Sequence, residues 1–197
     1  GHYYDIAGLD ALIGKLRAQD PAKFGTLAMH VDAASGGLIA PFLYPGTKWD
    51  FLLPSVTSIS VSGHKYGFVY PGIGWNIWRS KGVVHPDMIF HLSYLGTDQT
   101  NMSLNFSRPS ANVVASYYQF LRLGRAGFTL ASHNMQQVAL HLAKGLQDSG
   151  AFRVINEPRH TVPMVVFSLL PYSDGKPRAY TEFELSDQLR GEGGWSV

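Results

Sequence analysis

The sequence predicts an α/β protein built around a largely parallel β-sheet. Three short segments have strand character: residues 25–31, 55–62 and 73–79. Helical patterns flank them, and this alternation of strands with crossover segments is typical of α/β folds. Hydrophobic residues make up 45% of the 197-residue chain and charged residues 15%. This composition is that of a folded domain with a sizeable core.

The first half of the chain supplies one clear helix and the three strands. Residues 6–18 place apolar side chains at helical spacing. The run GTLAMHV at 25–31 reads as a strand that ends at Asp32. The segment SVTSISVS at 55–62 alternates and predicts a strand with one face of small polar residues. Residues 87–105 have no clear period and indicate either a mobile loop or a loose hairpin.

The second half predicts a different domain. A helix spans 110–123 with Ser110 as its N-cap, Gly124 and Gly127 interrupt the helical pattern, and a long helix runs from about 129 to 148. Two strands, FRVIN and MVVFSLL, precede a helix that begins after Thr181 as N-cap. We therefore place a boundary near residue 130, with domains of 1–130 and 131–197.

Composition excludes several classes of function. The net charge is only +2 and no basic block occurs, which argues against nucleic acid and anionic membranes as partners. No run of about 18 apolar residues predicts a transmembrane helix. The chain has no cysteine, and its histidines lack metal-ligand spacing, so we expect no metal site. The chain starts with Gly and ends at GGWSV, which predicts a fragment.

One acid and one lone lysine stand at equivalent places in the pattern. Asp32 ends a strand in HVDAASGG, and Lys65 follows another strand in SGHKYG. Ligands of open parallel sheets bind beyond the carboxyl ends of the strands. A lysine amine can condense with an aldehyde, and a carboxylate can keep a pyridine nitrogen protonated. Together they indicate a site for pyridoxal phosphate.

Neighbouring residues agree with a flat, phosphorylated cofactor. Ser62 and His64 flank the lysine with donors that a phosphate could use, and Ala34 leaves room for a ring. Each also has a plainer interpretation. An aspartate after a strand is commonly a turn residue, and an isolated histidine such as His64 is commonly packed in a core. We expect His30 to face the interior of the sheet and assign it no role.

Three long segments resemble the glutamate decarboxylase family of pyridoxal-phosphate enzymes. They are HVDAASGGLIAPFLYP, WDFLLPSVTSISVSGHKYGFVYPGIGWNIWR and LNFSRPSANVVASYYQFLRLGRAGF. The resemblance implies the aspartate-aminotransferase fold, also called pyridoxal-phosphate fold type I. On that basis the chain contains part of the large cofactor-binding domain, followed by part of a small α+β domain.

The resemblance also implies roles for individual residues. Lys65 matches the lysine that binds the cofactor covalently, and Asp32 the acid that pairs with the pyridine nitrogen. Ala34 matches the small residue packed against the ring. Ser62 and His64 match donors to the phosphate. Ser107 matches a serine that reaches the cofactor of a neighbouring subunit. Tyr94 matches a proton donor or a gate over the substrate.

The implied activity is decarboxylation of L-glutamate to 4-aminobutanoate and CO2 by a cytoplasmic, dimer-based homo-oligomer. We expect the chain alone to be inactive. Two alternatives stay open: another pyridoxal-phosphate decarboxylase or carbon–carbon lyase, and an inactive fragment of such an enzyme.

Overall fold

The computed structural model describes residues 2–94, 96–102 and 109–195. By the clustering of its Cα atoms, the chain forms two compact units. One is Tyr4–Thr129, and the other comprises the residues from Leu130 onward with the first residues of the chain. Among the described residues, no helix combines the length and the apolar character needed to cross a membrane.

The first unit begins with helices and then builds a three-stranded sheet. Its elements are α1 (Ile6–Gln19), α2 (Pro21–Phe24), β1 (Met29–Asp32), α3 (Ala40–Leu43), β2 (Val56–Ser62), α4 (Gly63–Tyr66), β3 (Gly74–Trp78), β4 (Phe90–Tyr94) and β5 (Thr97–Asn101). The predicted helix at 6–18 and the strands at 55–62 and 73–79 are confirmed, whereas the strand predicted at 25–31 begins only at Met29. Asp5 caps α1 because its carboxylate accepts a hydrogen bond of 2.8 Å from the Gly8 amide.

The sheet has the order β1-β2-β3 and is mixed. Strands β1 and β2 are parallel, with Asp32 opposite Ser60. Strands β2 and β3 are antiparallel, with Ser60 opposite Asn76. The expectation of a largely parallel sheet is therefore wrong for β3. The connection between β2 and β3, residues 63–73, contains only the single turn of α4, whereas a parallel return needs a longer crossover.

Alternation along β1 and β2 separates an apolar face from a polar one. Met29, Val31, Ile59 and Val61 are buried and form one cluster with Ala33, Leu53 and Val56. Ile6 and Ile13 of α1 pack against this cluster. The opposite face carries His30 and Asp32 of β1 and the serines of β2. Burial of the apolar face fixes the register and so leaves these polar groups on the other side.

The segment with no clear period forms a hairpin in its described part. Strands β4 and β5 pair antiparallel from Phe90 opposite Asn101 to Tyr94 opposite Thr97. Of the two interpretations left open for residues 87–105, the hairpin is correct for the residues that the structure describes. Its strand β5, TDQTN, is polar throughout, which explains why periodicity did not reveal it.

Helix α5 spans Ala111–Asp148 but is interrupted at Gly124. That glycine has φ 56° and ψ −171°, a conformation that favours glycine. The predicted break at Gly124 is thus confirmed, whereas the predicted break at Gly127 is wrong because helix resumes after Gly124. Gly127 packs instead: a Cβ there would lie 2.8 Å from Leu123 Cβ.

The second unit contains a two-stranded sheet and a C-terminal helix. Strands β6 (Phe152–Val154) and β7 (Phe167–Leu169) pair antiparallel, and α6 spans Glu182–Gly193. Thr181 is the N-cap, as predicted, and forms a reciprocal capping box with Glu184. Buried Asn156 donates to Met164 O at 3.0 Å and accepts from Val166 N at 2.7 Å, so it ties the loop between the strands.

Candidate active site

The parallel pairing of β1 and β2 brings the predicted acid and lysine to one edge of the sheet. Asp32 is the last residue of β1, and Lys65 lies in α4, which follows β2 directly. Lys65 Nζ donates a hydrogen bond of 3.1 Å to Ser35 Oγ in the loop after Asp32. Both charged side chains are exposed, so they stand at the surface of this unit. The edge thus presents an amine and a carboxylate to a common ligand.

Asp32 is held as a carboxylate by short-range donors. Its Oδ1 accepts hydrogen bonds from the Ala34 amide at 3.0 Å and from Ser60 Oγ at 3.2 Å. The Ala34 bond is the main cause that lowers the pKa of Asp32, and desolvation opposes it in part. Ser60, the charge of Lys65 and His30 lower the pKa further. The group is therefore ionised at neutral pH, as an acid paired with a protonated ring nitrogen must be.

Ala34 and Ser62 connect the two strand ends. Ala34 is half-buried, and its carbonyl accepts a hydrogen bond of 3.2 Å from the Ser62 amide. Ser62 occupies the N-cap position of α4, yet its hydroxyl makes no capping hydrogen bond. The hydroxyl can therefore serve a ligand at this edge. The role of either residue toward a cofactor stays a prediction.

His64 is exposed on α4, beside Lys65. The plainer interpretation, a packed core histidine, is wrong for this residue. An imidazole in this position is available to a phosphate, and that role also stays a prediction. Tyr94 ends β4, but its side chain lies outside what the structure describes. Ser107 lies outside the described residues altogether.

Close packing fixes the two loops that carry the site. A Cβ at Gly37 would lie 2.8 Å from Val61 Cγ2 and 3.2 Å from Ala33 Cβ. A Cβ at Gly63 would lie 2.8 Å from Ile73 Cγ2. Glycine at these two positions therefore allows the loop and the helix to pack closely against the core, and it does not make room for a ligand.

Helix α5 holds the segment that follows Lys65. Asn112 Nδ2 donates to Pro71 O at 2.8 Å, and Gln119 Nε2 donates to Phe68 O at 3.1 Å. Phe68 has φ 58°, an unusual conformation for a residue with a side chain. Its ring packs against Phe128 with centroids 5.6 Å apart. The two amides and the ring contact offset this strain and fix the exit of the chain from α4.

His30 is the residue of this region that sequence reasoning misplaced. The expectation that it faces the sheet interior is wrong: its side chain is exposed and lies on the face that carries Asp32. His30 Nδ1 is 2.7 Å from Ser58 Oγ. The available signal was the period of two, because residues two apart on a strand share a face and Asp32 had already been assigned to the site.

A site of this composition fits pyridoxal phosphate. The amine of Lys65 can bind the aldehyde, and the ionised Asp32 can pair with the ring nitrogen. The side chain of Ala34 is small enough to leave room for the ring, and the Ser62 hydroxyl, which does not cap α4, can donate to the phosphate.

Comparison with known proteins agrees with a site for pyridoxal phosphate. A family model described as the pyridoxal-dependent decarboxylase conserved domain matches residues 11–170. Glutamate decarboxylase 1 of Arabidopsis thaliana is 50% identical over 169 residues, which cover 86% of this chain and 32% of that protein. Glutamate decarboxylase 5 of the same plant is 43% identical over the whole chain, which covers 38% of it.

The solved structures agree with the sequence relatives. The glutamate decarboxylase of Lactobacillus brevis matches with a TM-score of 0.89 and 42% identity, over 99% of this chain and 42% of that one. The predicted fold, pyridoxal-phosphate fold type I of the α/β class, is thereby confirmed. This chain spans about a third to two fifths of the length of these relatives.

Proposed function

Since the chain belongs to the pyridoxal-dependent decarboxylase family, we propose that the protein decarboxylates L-glutamate to 4-aminobutanoate and CO2 with pyridoxal phosphate as cofactor. The observation that carries the proposal is the placement of Lys65 and Asp32 at the same edge of the sheet. The identity of 40–51% to glutamate decarboxylases of plants and bacteria favours glutamate as the substrate. The structural likeness to a sphingosine-1-phosphate lyase is weaker, with 25% identity and a TM-score of 0.69.

In this proposal, Lys65 and Asp32 hold the reactive part of the cofactor. Lys65 Nζ binds the cofactor aldehyde, and Ser35 orients the amine from 3.1 Å. Asp32 would accept a hydrogen bond from the protonated ring nitrogen, and the Ala34 amide and Ser60 hold its carboxylate in place. When bound, pyridoxal phosphate supplies an electron sink for the pair left behind as CO2 departs.

The remaining residues surround this pair. Ala34 would pack against the ring, and Ser62 and His64 would donate to the phosphate. Ser107 would donate to the phosphate of the neighbouring subunit's cofactor, so that the site would be formed by a homodimer or a larger dimer-based oligomer. Tyr94, at the end of β4, would supply the proton that replaces CO2 on the α-carbon or would close the site against water.

The proposal extends to organisation and location. Residues 1–130 form part of the cofactor-binding large domain. Residues 131–197 comprise a connecting helix and part of the small C-terminal domain. The enzyme acts in the cytoplasm, and neither nucleic acid nor a membrane is a partner.

Covalent mapping of the lysine tests the cofactor part of the proposal. The purified complete protein is mixed with pyridoxal phosphate and reduced with borohydride, and the modified lysine is identified by mass spectrometry. We expect stoichiometric labelling of Lys65. The variant K65R should lose this label, whereas K48R, which changes an exposed lysine before β2, should keep it. Scattered labelling of surface lysines in the wild type would contradict the proposal.

A substrate panel tests the reaction. Release of CO2 by the complete protein is measured with L-glutamate, L-aspartate and an aromatic amino acid at equal concentration. We expect turnover of L-glutamate at least 100-fold above the others, because a site that pairs a second carboxylate rejects side chains without one at the right distance. If Lys65 is labelled selectively but another amino acid is decarboxylated, the cofactor assignment is correct and the assignment of L-glutamate as substrate is wrong.

A further inference from the structure

His30 is fixed on the polar face of the sheet by one short contact. Its Nδ1 lies 2.7 Å from the hydroxyl of Ser58, the residue opposite it on β2. Ser58 is 5% exposed, so its hydroxyl is a rigid anchor. The imidazole itself is exposed and is absent from the apolar cluster on the other face of the sheet. Packing of the core therefore does not require a histidine at this position.

The same arrangement repeats one step along the strand. Asp32 is opposite Ser60 on β2, and Ser60 Oγ donates to Asp32 Oδ1 at 3.2 Å. His30–Ser58 and Asp32–Ser60 are thus two successive cross-strand pairs on one face. Residues two apart on a strand are separated by about 6.6 Å, a distance at which a cationic imidazole still acts on a carboxylate.

We propose that His30 is a positioning residue that acts through Asp32, with Ser58 holding the imidazole where its charge favours the ionised carboxylate. The inference rests on the proposed function for its consequence, because Asp32 is the group that would meet the ring nitrogen of pyridoxal phosphate. The charged groups near the carboxylate are His30 from its own strand and Lys65 from α4, while β2 contributes neutral serines. His30 supports the carboxylate from the strand side and Lys65 from the helix side.

The first test requires no cofactor. The carboxyl carbon of Asp32 is followed by ¹³C NMR during an acid titration of the wild type and of H30N and H30F. H30N keeps a polar group near Ser58 but cannot become cationic, and H30F removes both. We expect the titration midpoint of Asp32 to rise by about half a pH unit in both variants, a shift appropriate to an exposed pair. A midpoint in H30N equal to that of the wild type would overturn the inference.

The second test measures cofactor affinity. The measurement is made at acid pH, below the Asp32 midpoint, where the half-unit shift reduces the ionised fraction of the carboxyl about threefold, and we expect the dissociation constant of pyridoxal phosphate to rise there by about the same factor in H30N and H30F. S58A should move it in the same direction because the imidazole loses its anchor. H141N, which removes an exposed histidine in the second unit, is the matched control and should bind as the wild type does. Unchanged affinity in H30N and H30F would count against the inference.

The outcomes separate the two proposals. Failure of the wild type to form a covalent link at Lys65 would contradict the proposed function, and the Asp32 titration would still decide the role of His30. Selective labelling at Lys65 together with an Asp32 midpoint indifferent to His30 would keep the function and remove His30 from it. Circular dichroism establishes that H30N and H30F are folded. Should H30F fail to fold, H30N and S58A carry the test.

Discussion

Substitution of Gly37 by alanine should displace the loop that carries Ala34 and Ser35 and so reduce both stability and the reactivity of the site. The new Cβ would lie 2.8 Å from Val61 Cγ2, 3.1 Å from Val61 Cγ1 and 3.2 Å from Ala33 Cβ. Ordinary contacts of this kind begin near 3.4 Å, so the loop must move by roughly 0.5 Å. Val61 cannot easily rotate away, because it is buried and its β-branched side chain is stiff. Overpacking of this kind costs about 1–3 kcal/mol of unfolding free energy.

The displacement falls on the loop that carries Ser35 and Ala34. A misplacement of 1 Å in a catalytic group can cost about 100-fold in rate, so a shift of half that size predicts a loss of roughly tenfold. Two assays follow it: urea denaturation for stability, and borohydride labelling of Lys65 with pyridoxal phosphate for the site. G14A is the control, because a Cβ on this exposed residue of α1 meets no atom within 4 Å. It should raise stability by about 0.5–1 kcal/mol.

A double mutant identifies the clash as the cause. V61A alone should destabilise the protein by opening a cavity, and in combination with G37A that cavity receives the new methyl group. The double variant should therefore be more stable than the sum of the single changes predicts, by about 1 kcal/mol or more. Strict additivity, or a G37A variant as stable and as reactive at Lys65 as the wild type, would refute the reasoning.

Three further predictions follow from single contacts. V56A should lower the unfolding free energy by about 2–3 kcal/mol in urea denaturation, because the Val56 side chain is 0% exposed, and V113A at an exposed site should change it by less than about 0.5 kcal/mol. The lowered pKa of Asp32 means that its contribution to stability is present above its ordinary value of 3.8 and disappears as pH falls through the lower folded value, so D32N should flatten the loss of stability below about pH 4. T181A should cost α6 about 1 kcal/mol, visible as earlier amide exchange in its first turn, while T181S should retain the cap.

The sequence predicts the elements whose signal is local. Apolar spacing identifies α1, alternation identifies β2, and Thr181 as N-cap identifies the start of α6. The approach of Asp32 to Lys65 follows from one topological rule about parallel strands, and the structure brings them together on that basis. In each case, the deciding interaction lies within a few residues or within one pair of neighbouring strands.

The features that sequence reasoning missed depend on partners distant in the chain. The residues of strand β3 do not specify its direction, and its antiparallel pairing with β2 is set by the short connection through α4. Strand β5 is polar throughout, so only its pairing with β4 makes it a strand. The strained conformation of Phe68 is tolerated because Gln119 of α5, 51 residues away, binds its carbonyl. No local pattern contains such information.

His30 was misplaced because the whole segment was treated as buried and the alternation of its side chains was not applied. The apolar run GTLAMHV suggested burial along the whole segment, as in a central strand covered on both faces. Within this chain β1 is buried on one face only, so the period of two applies and returns His30 to the side of Asp32.

The pKa of Asp32 depends more on the shape of the loop that follows it than on the neighbouring charged groups. The largest cause of the lowered pKa of Asp32 is the amide of Ala34, ahead of Ser60, Lys65 and His30. That amide is aimed by the turn that Gly37 closes through its own hydrogen bond of 2.8 Å to Ala33 O. A change that moves the turn should therefore raise the pKa of Asp32 more than removal of a neighbouring charge does. In a ¹³C titration we expect a larger rise in G37A than in H30N, and the opposite order would mean that charge, rather than backbone geometry, governs the carboxylate.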